Sequence, residues 1–217
     1  TCAVTAAAAA DSRGKIRNAG KDGKANVIVT GCWSDMEPET AARFPGVSRV
    51  VPNRMKDALP AIVLGVNPEL FDVEPIKREP LPGVHARTRA FLKVQDGCDN
   101  HCTFCITRLA RGDARSVSPE AVLRQIRAVE LADGKEIVMT GVNLGAWGLD
   151  FDPLRHLGNL LETILKESNL PRIRLSSLES WNIPESFLDL WADPRLCPHF
   201  HLPLQSGSES VLKRMAR

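Results

Sequence analysis

Residues 91–112 read FLKVQDGCDNHCTFCITRLARG and place Cys98, Cys102 and Cys105 in a C-x3-C-x2-C spacing. The apolar run at residues 91–94 reads as a short buried strand. Gly97 then lets the backbone turn. Three thiols therefore share one compact loop just past a strand end. Thiolates bind soft metals, and each iron of an iron–sulfur cubane wants a ligand. Three cysteines leave one iron open to a small molecule, which points to chemistry as well as electron transfer. Zinc is the competing reading: structural zinc wants four ligands, usually as C-x2-C pairs. His101 would complete such a set, although Cys98, His101 and Cys102 are crowded for a paired-knuckle layout. Three unliganded thiols fit poorly with a cluster of cysteines in a chain from a reducing compartment.

Composition fits a globular chain of one or two domains, 217 residues long. There is no apolar run long enough for a membrane span and no signal-peptide pattern. The six cysteines do not suggest a disulfide scaffold, so the expected location is cytoplasmic, with no membrane partner. A net charge of +2 neither demands nor excludes nucleic acid.

Upstream of the loop, the alanine-rich segment at residues 1–20 favours a helix ending at Gly20. A strand follows at residues 25–30, a helical piece at residues 37–44 and a strand at residues 48–51, suggesting an open α/β layer. Residues 54–89 form a proline-broken connector, with a domain boundary expected near residues 81–85. Downstream, Ser118 and Pro119 start a helix with Val122, Ile126 and Val129 on one face. Asp133 and Gly134 end it. Glu136–Thr140 reads as the second strand and residues 141–148 as its loop. Leu157, Leu160, Leu161, Ile164 and Leu165 mark the next helix. A third strand is expected at residues 172–178, a helix at residues 184–191, a fourth strand at residues 200–204 and a helix at residues 208–215. Strand–helix units in series argue a parallel sheet closing toward a barrel. Working loops in such barrels lie at the strand C-terminal ends. Cys98, Cys102, Cys105, Asn143, Gly145, Ser177, Glu179, Gln205 and Ser206 all fall there. Arg87, Arg89 and Lys93 read either as a solvated rim or as phosphate contacts. Trp147 lies on the second loop and reads as base-stacking or, more commonly, as packing. Cys197 reads as a small buried residue, and His199 and His201 as structural filling.

At VQDGCDNHCTFC the chain resembles the radical S-adenosylmethionine (SAM) enzymes, whose signature is this cysteine loop. With LARG, TGVNLGAWG, RLSSLES and HLPLQSGSESVLKRM it resembles the methylthiotransferases, over nearly its whole length. The DGC, TFCI and LARG segments look most like the branch acting on N6-threonylcarbamoyladenosine beside the tRNA anticodon. The resemblance implies a partial N-terminal open α/β domain with its linker over residues 1–80. Residues 81–217 would then be an incomplete radical SAM (βα) barrel with four of six units. It implies that Cys98, Cys102 and Cys105 hold a [4Fe–4S] cluster whose open iron takes SAM. Reductive cleavage of SAM, fed by an electron donor, would yield a 5′-deoxyadenosyl radical that activates an adenine carbon of a tRNA substrate. Cys2 and Cys32 match two of three ligands of a second [4Fe–4S] cluster; by themselves they read as small apolar residues. Phe104 would pack near the SAM adenine or fill the loop. Asn143 and Gln205 would bond SAM or substrate, or tie down their own loops. Glu179 would accept from SAM, or pair with Arg172 or Arg174. Arg108, Arg111 and Arg115 would take phosphate or the SAM carboxylate.

The chain begins Thr1-Cys2 and ends at Arg217. The expectation is therefore a piece of a longer enzyme, short at both ends, with an incomplete second cluster and no activity by itself. Two further readings stay open: methylthiolation of isopentenyladenosine tRNA or a ribosomal protein, and a zinc-stabilised RNA-binding module without catalysis.

Overall fold

The apolar run before the cysteine loop forms β3 (Arg89–Lys93) in a computed structural model that describes residues 1–67 and 89–217. β3 pairs in parallel with β6 (Glu136–Thr140), which pairs in parallel with β7 (Arg172–Leu175). The three strands lie side by side in chain order. The register sets Lys93 opposite Thr140 and Met139 opposite Leu175, so the strands end along one edge. β6 is central, and Glu136 to Met139 are all buried, as an inner parallel strand covered on its faces requires.

The helices between these strands carry the apolar spacing anticipated. Ser118 caps α6 (Pro119–Leu131), its Oγ accepting the Ala121 amide at 3.3 Å. Val122, Ile126 and Val129 are buried. α7 (Leu157–Glu167) buries Leu157, Leu160, Leu161 and Ile164. These side chains meet Leu92, Ile137, Met139, Ile173 and Leu175 from the sheet in one apolar core. Each such aliphatic side chain contributes about 1.5–3 kcal/mol by leaving water.

The described residues divide into two compact units. One holds this sheet, with residues 89–98 and Asp113–Lys213; the other holds residues 1–67, Asp99–Gly112 and Arg214–Arg217. In the second, α1 (Ala6–Gly20) begins at Thr5, whose Oγ1 accepts the Ala8 amide. β1 (Val27–Thr30) and β2 (Val47–Val51) pair in parallel, with α2 (Cys32–Met36) and α3 (Pro38–Ala42) between them. Ile16, Val29, Trp33 and Ala41 form the core. A 3-10 turn at Asn53–Ala58 leads into α4 (Leu59–Leu64), which stops at Gly65 in the left-handed conformation. The connector is thus helical through residue 64. The boundary anticipated near residues 81–85 lies outside the described residues, as does Arg87.

Three local expectations are corrected. No strand forms at residues 200–204; the chain there makes only an isolated parallel bridge, Ser177 to His201. Pro203 cannot donate to a ladder, and Pro198 precedes the segment. The third strand ends at Leu175, although the Ser176 amide still reaches the Met139 carbonyl at 3.0 Å. The helix expected at residues 184–191 is a 3-10 helix, Glu185–Ala192. Downstream, α8 (Glu209–Arg214) occupies the last predicted helix.

Candidate metal centre and the loops around it

The cysteine loop springs from a short antiparallel ribbon of β4 (Gln95–Asp96) and β5 (Arg115–Ser116). Gly97, with φ +71°, turns the backbone into Cys98. Asp96 steadies that turn, its Oδ1 accepting the Gly97 amide at 2.9 Å and its Oδ2 pairing with Lys93 at 3.0 Å. Lys93 is thereby engaged within the loop stem. Arg89 is engaged too: with Arg174 it flanks Glu136, each Nε 3.0 Å from the same oxygen. Burial pushes the Glu136 carboxyl up, but the hydrogen bonds from Arg174 and Arg89 outweigh it and hold it below its ordinary value of 4.5. Arg174 is therefore engaged by Glu136.

Cys98 and Cys102 are half-buried, Cys105 is exposed, and none of the three is in a disulfide. The Cys105 amide donates to the Cys102 carbonyl at 3.0 Å, closing a turn between the last two cysteines. α5 (Thr107–Arg111) follows, and the Thr107 amide donates to Cys105 Sγ at 3.4 Å. Amide-to-sulfur bonds of this kind tune cluster-bound thiolates. Arg108 is hydrogen-bonded to His101 Nε2, on the histidine that the zinc reading would enlist as a fourth ligand. Phe104 is half exposed, with the Arg217 guanidinium 5.8 Å from its ring centroid. Among the described residues, no three His, Cys, Asp or Glu side chains converge closely enough to hold a metal ion. The donor chemistry, three soft thiols on one loop, nevertheless suits an iron–sulfur cluster.

The loop tip packs within its own unit. α5 lies against α2, the helix that Cys32 begins. Buried Asn53 ties the two together: its Nδ2 donates to the Ala110 carbonyl at 3.3 Å, and its amide donates to Asp35 Oδ1 at 3.2 Å. Cys2 is exposed and Cys32 half-buried. Their neighbours touch, since the Thr1 nitrogen donates to the Thr30 carbonyl at 2.7 Å and Thr1 Oγ1 accepts the Ser34 amide. Gly31, at φ +114°, permits this approach; a Cβ there would lie 2.4 Å from the Thr1 carbonyl oxygen.

At the strand ends of the sheet unit, Asn143 and Ser177 bond to neighbouring loops. Asn143 is buried; its Oδ1 accepts from Asn182 Nδ2 at 3.3 Å and its amide donates to Gln95 Oε1 at 2.9 Å. Glu179 is half-buried and starts the turn that presents Asn182. Ser177 Oγ and His201 Nδ1 are 2.8 Å apart, and the Leu178 amide donates to the His201 carbonyl. Gln205 is exposed, at φ +59°, with the Ser206 amide bonded to the Leu204 carbonyl across it. Gly141 and Gly145 make room for side chains: added Cβ atoms would lie 3.0 Å from Gln95 and 2.8 Å from Asn182. Trp147 is fully buried and donates to the Val117 carbonyl at 2.9 Å, so it packs rather than presents a stacking face. Cys197 is buried, as anticipated. Sequence reasoning missed Gln95 and Asn182. The available signal for Gln95 was a polar side chain directly after an apolar strand.

The radical SAM superfamily model matches residues 92–217. The threonylcarbamoyladenosine tRNA methylthiotransferase MtaB of Rickettsia prowazekii is 34% identical over 100% of this chain and 53% of its own length. That of Thermotoga maritima is 37% identical over 93% of this chain and 47% of its own. The tRNA-2-methylthio-N(6)-dimethylallyladenosine synthase of Staphylococcus saprophyticus is 38% identical over 64% of this chain and 28% of its own. The chain spans about half the length of the MtaB relatives it matches. In fold it is similar to the radical SAM methyltransferase TsrM of Kitasatospora setae, with a TM-score of 0.68 at 16% identity, covering 94% of this chain and 46% of that one. It is also similar to the radical SAM enzyme OxsB, with a TM-score of 0.58 at 15% identity, covering 88% and 32%.

Proposed function

This chain belongs to the radical SAM superfamily, and from that premise we propose that it is part of a methylthiotransferase acting on N6-threonylcarbamoyladenosine of tRNA. The observation that carries the reading is the C-x3-C-x2-C loop at the end of the first parallel strand. Support for the substrate comes from whole-chain similarity to proteins named for that reaction. The shorter match to dimethylallyladenosine synthases favours, as a second reading, the same chemistry on isopentenyladenosine tRNA.

Cys98, Cys102 and Cys105 would hold a [4Fe–4S] cluster as thiolates and leave one iron for SAM. When bound, the pair supplies an electron and a cleavable sulfonium, the chemistry that activates an inert carbon–hydrogen bond. The protein's share is to bind, orient and exclude water. The Thr107 amide steadies Cys105. Phe104 offers an apolar face for the SAM adenine, while Asn143, Glu179 and Gln205 supply polar contacts at the strand ends. Arg108, Arg111 and Arg115 suit anionic groups of SAM or tRNA. Cys2 and Cys32, beside the bonded Thr1 and Thr30, would contribute to a second cluster. An electron donor and a cytoplasmic location accompany this reading. Among the described residues, no helix is long and apolar enough to cross a membrane.

Anaerobic reconstitution with iron and sulfide tests the reading. The expected product is a brown protein that cleaves SAM to 5′-deoxyadenosine and methionine when reduced. Colourless protein with stoichiometric zinc and no SAM cleavage would sink it in favour of the zinc-stabilised RNA-binding module.

A further inference from the structure

We propose that Gln95 is the positioning residue that sets the entry of the cysteine loop, a role that rests on the cluster reading above. Its side chain is wholly buried. Nε2 donates to the Asp96 carbonyl at 3.0 Å and to the Gly97 carbonyl at 2.9 Å; Oε1 accepts the Asn143 amide at 2.9 Å. Both amide protons and the carbonyl oxygen are therefore used. The two carbonyls belong to the residues immediately before Cys98, and Gly97 is the left-handed turn that aims the chain into it. The Asn143 amide belongs to the loop after the neighbouring strand. One side chain thus fixes the backbone on both sides of the strand-end edge.

Only an uncharged carboxamide meets these demands. A carboxylate keeps the acceptor but turns lone pairs toward two carbonyls, and an aliphatic chain leaves three backbone groups unpaired inside the protein. Gly141 belongs to the same device, since its missing Cβ leaves the space that Gln95 Cβ and Oε1 occupy, each 3.0 Å away. Gln95 does not ligate iron; it acts through the direction in which the loop presents Cys98.

The test uses the full chain carrying Gln95→Leu, Gln95→Glu or Gly141→Ala. Two readouts are taken: amide exchange at Asn143 without metal, and the electron paramagnetic resonance change on titrating SAM into reconstituted, reduced protein. Gln95→Leu is expected to speed Asn143 exchange about tenfold and to weaken the SAM response about tenfold, while the unfolding transition stays cooperative. Gln95→Glu is expected to keep Asn143 protected, because its acceptor remains, yet to weaken the SAM response as Leu does. Gly141→Ala perturbs Gln95 without replacing it and is expected to weaken both readouts, which covers the case of a Leu variant that does not fold. Wild-type SAM response in all three variants overturns the positioning role and leaves the cluster reading intact. A wild-type chain with no SAM-responsive cluster overturns that reading and this role with it.

Discussion

Two single residues show how tertiary contact reverses what residue type suggests. Gly20 sits in the last turn of α1, where alanine would favour the helix by about 1 kcal/mol. Yet a Cβ there would stand 1.8 Å from the Pro45 carbonyl oxygen and 2.7 Å from its carbon, and both are backbone atoms with little freedom to retreat. Overpacking of this kind costs about 1–3 kcal/mol, so Gly20→Ala is expected to lower stability by a net of up to ~2 kcal/mol in urea unfolding, against the propensity scale. Glu136 is the second case. Its carboxyl is held below 4.5 by Arg174 and Arg89 once their bonds outweigh burial. Its stabilising contribution is therefore complete above 4.5 and is lost as pH falls through the lower folded value. Glu136→Gln is expected to cost about 1–2 kcal/mol at pH 7, discounted because both arginines are partly exposed. It should also flatten the loss of stability as pH falls below 4.5. Asp193, lowered by its hydrogen bonds from Arg195, retains its own share of that slope in the variant.

Among the elements, α6 was readable because its signals are local. An N-cap serine, a proline at the first position and a buried face at three- and four-residue spacing need no partner to be recognised. Ser118→Ala is expected to cost about 1 kcal/mol, read as a lower midpoint in thermal unfolding. The segment at residues 200–204 shows the opposite. Its apolar letters suggest a strand, but a strand exists only through ladder bonds, and proline supplies none. The loop after β6 shows the same limit. Gln95 and Asn182 fill the space beside its glycines, Gly141 and Gly145, and both come from distant segments of the chain. Trp147, in that loop, closes the core edge-on to Phe151 at 5.2 Å. Trp147→Phe is expected to cost about 1–2 kcal/mol through the unpaired Val117 carbonyl and the lost ring volume.

At the scale of the molecule, the parallel sheet and the N-terminal α/β unit each keep their own core, and the cysteine loop leaves the sheet unit from the β4–β5 ribbon. If its three thiols act as one ligand set, any single loss should remove the whole set. Cys98→Ala, Cys102→Ala and Cys105→Ala are each expected to abolish the SAM-responsive signal and reductive SAM cleavage alike. A variant that keeps full cleavage would remove its cysteine from the site.

The sequence alone determined the strand–helix alternation from β3 to β7, the starts of α6 and α7 and the cysteine spacing, because these depend on residue type and on neighbours a few positions away. It also carried the family resemblance, which resides in short contiguous segments. Tertiary structure alone decided which polar side chains serve the loops. Gln95 meets Asn143 across 48 residues and Asn53 meets Ala110 across 57. A buried carboxamide is committed by the backbone groups that surround it, and those groups are assembled only when distant segments fold together.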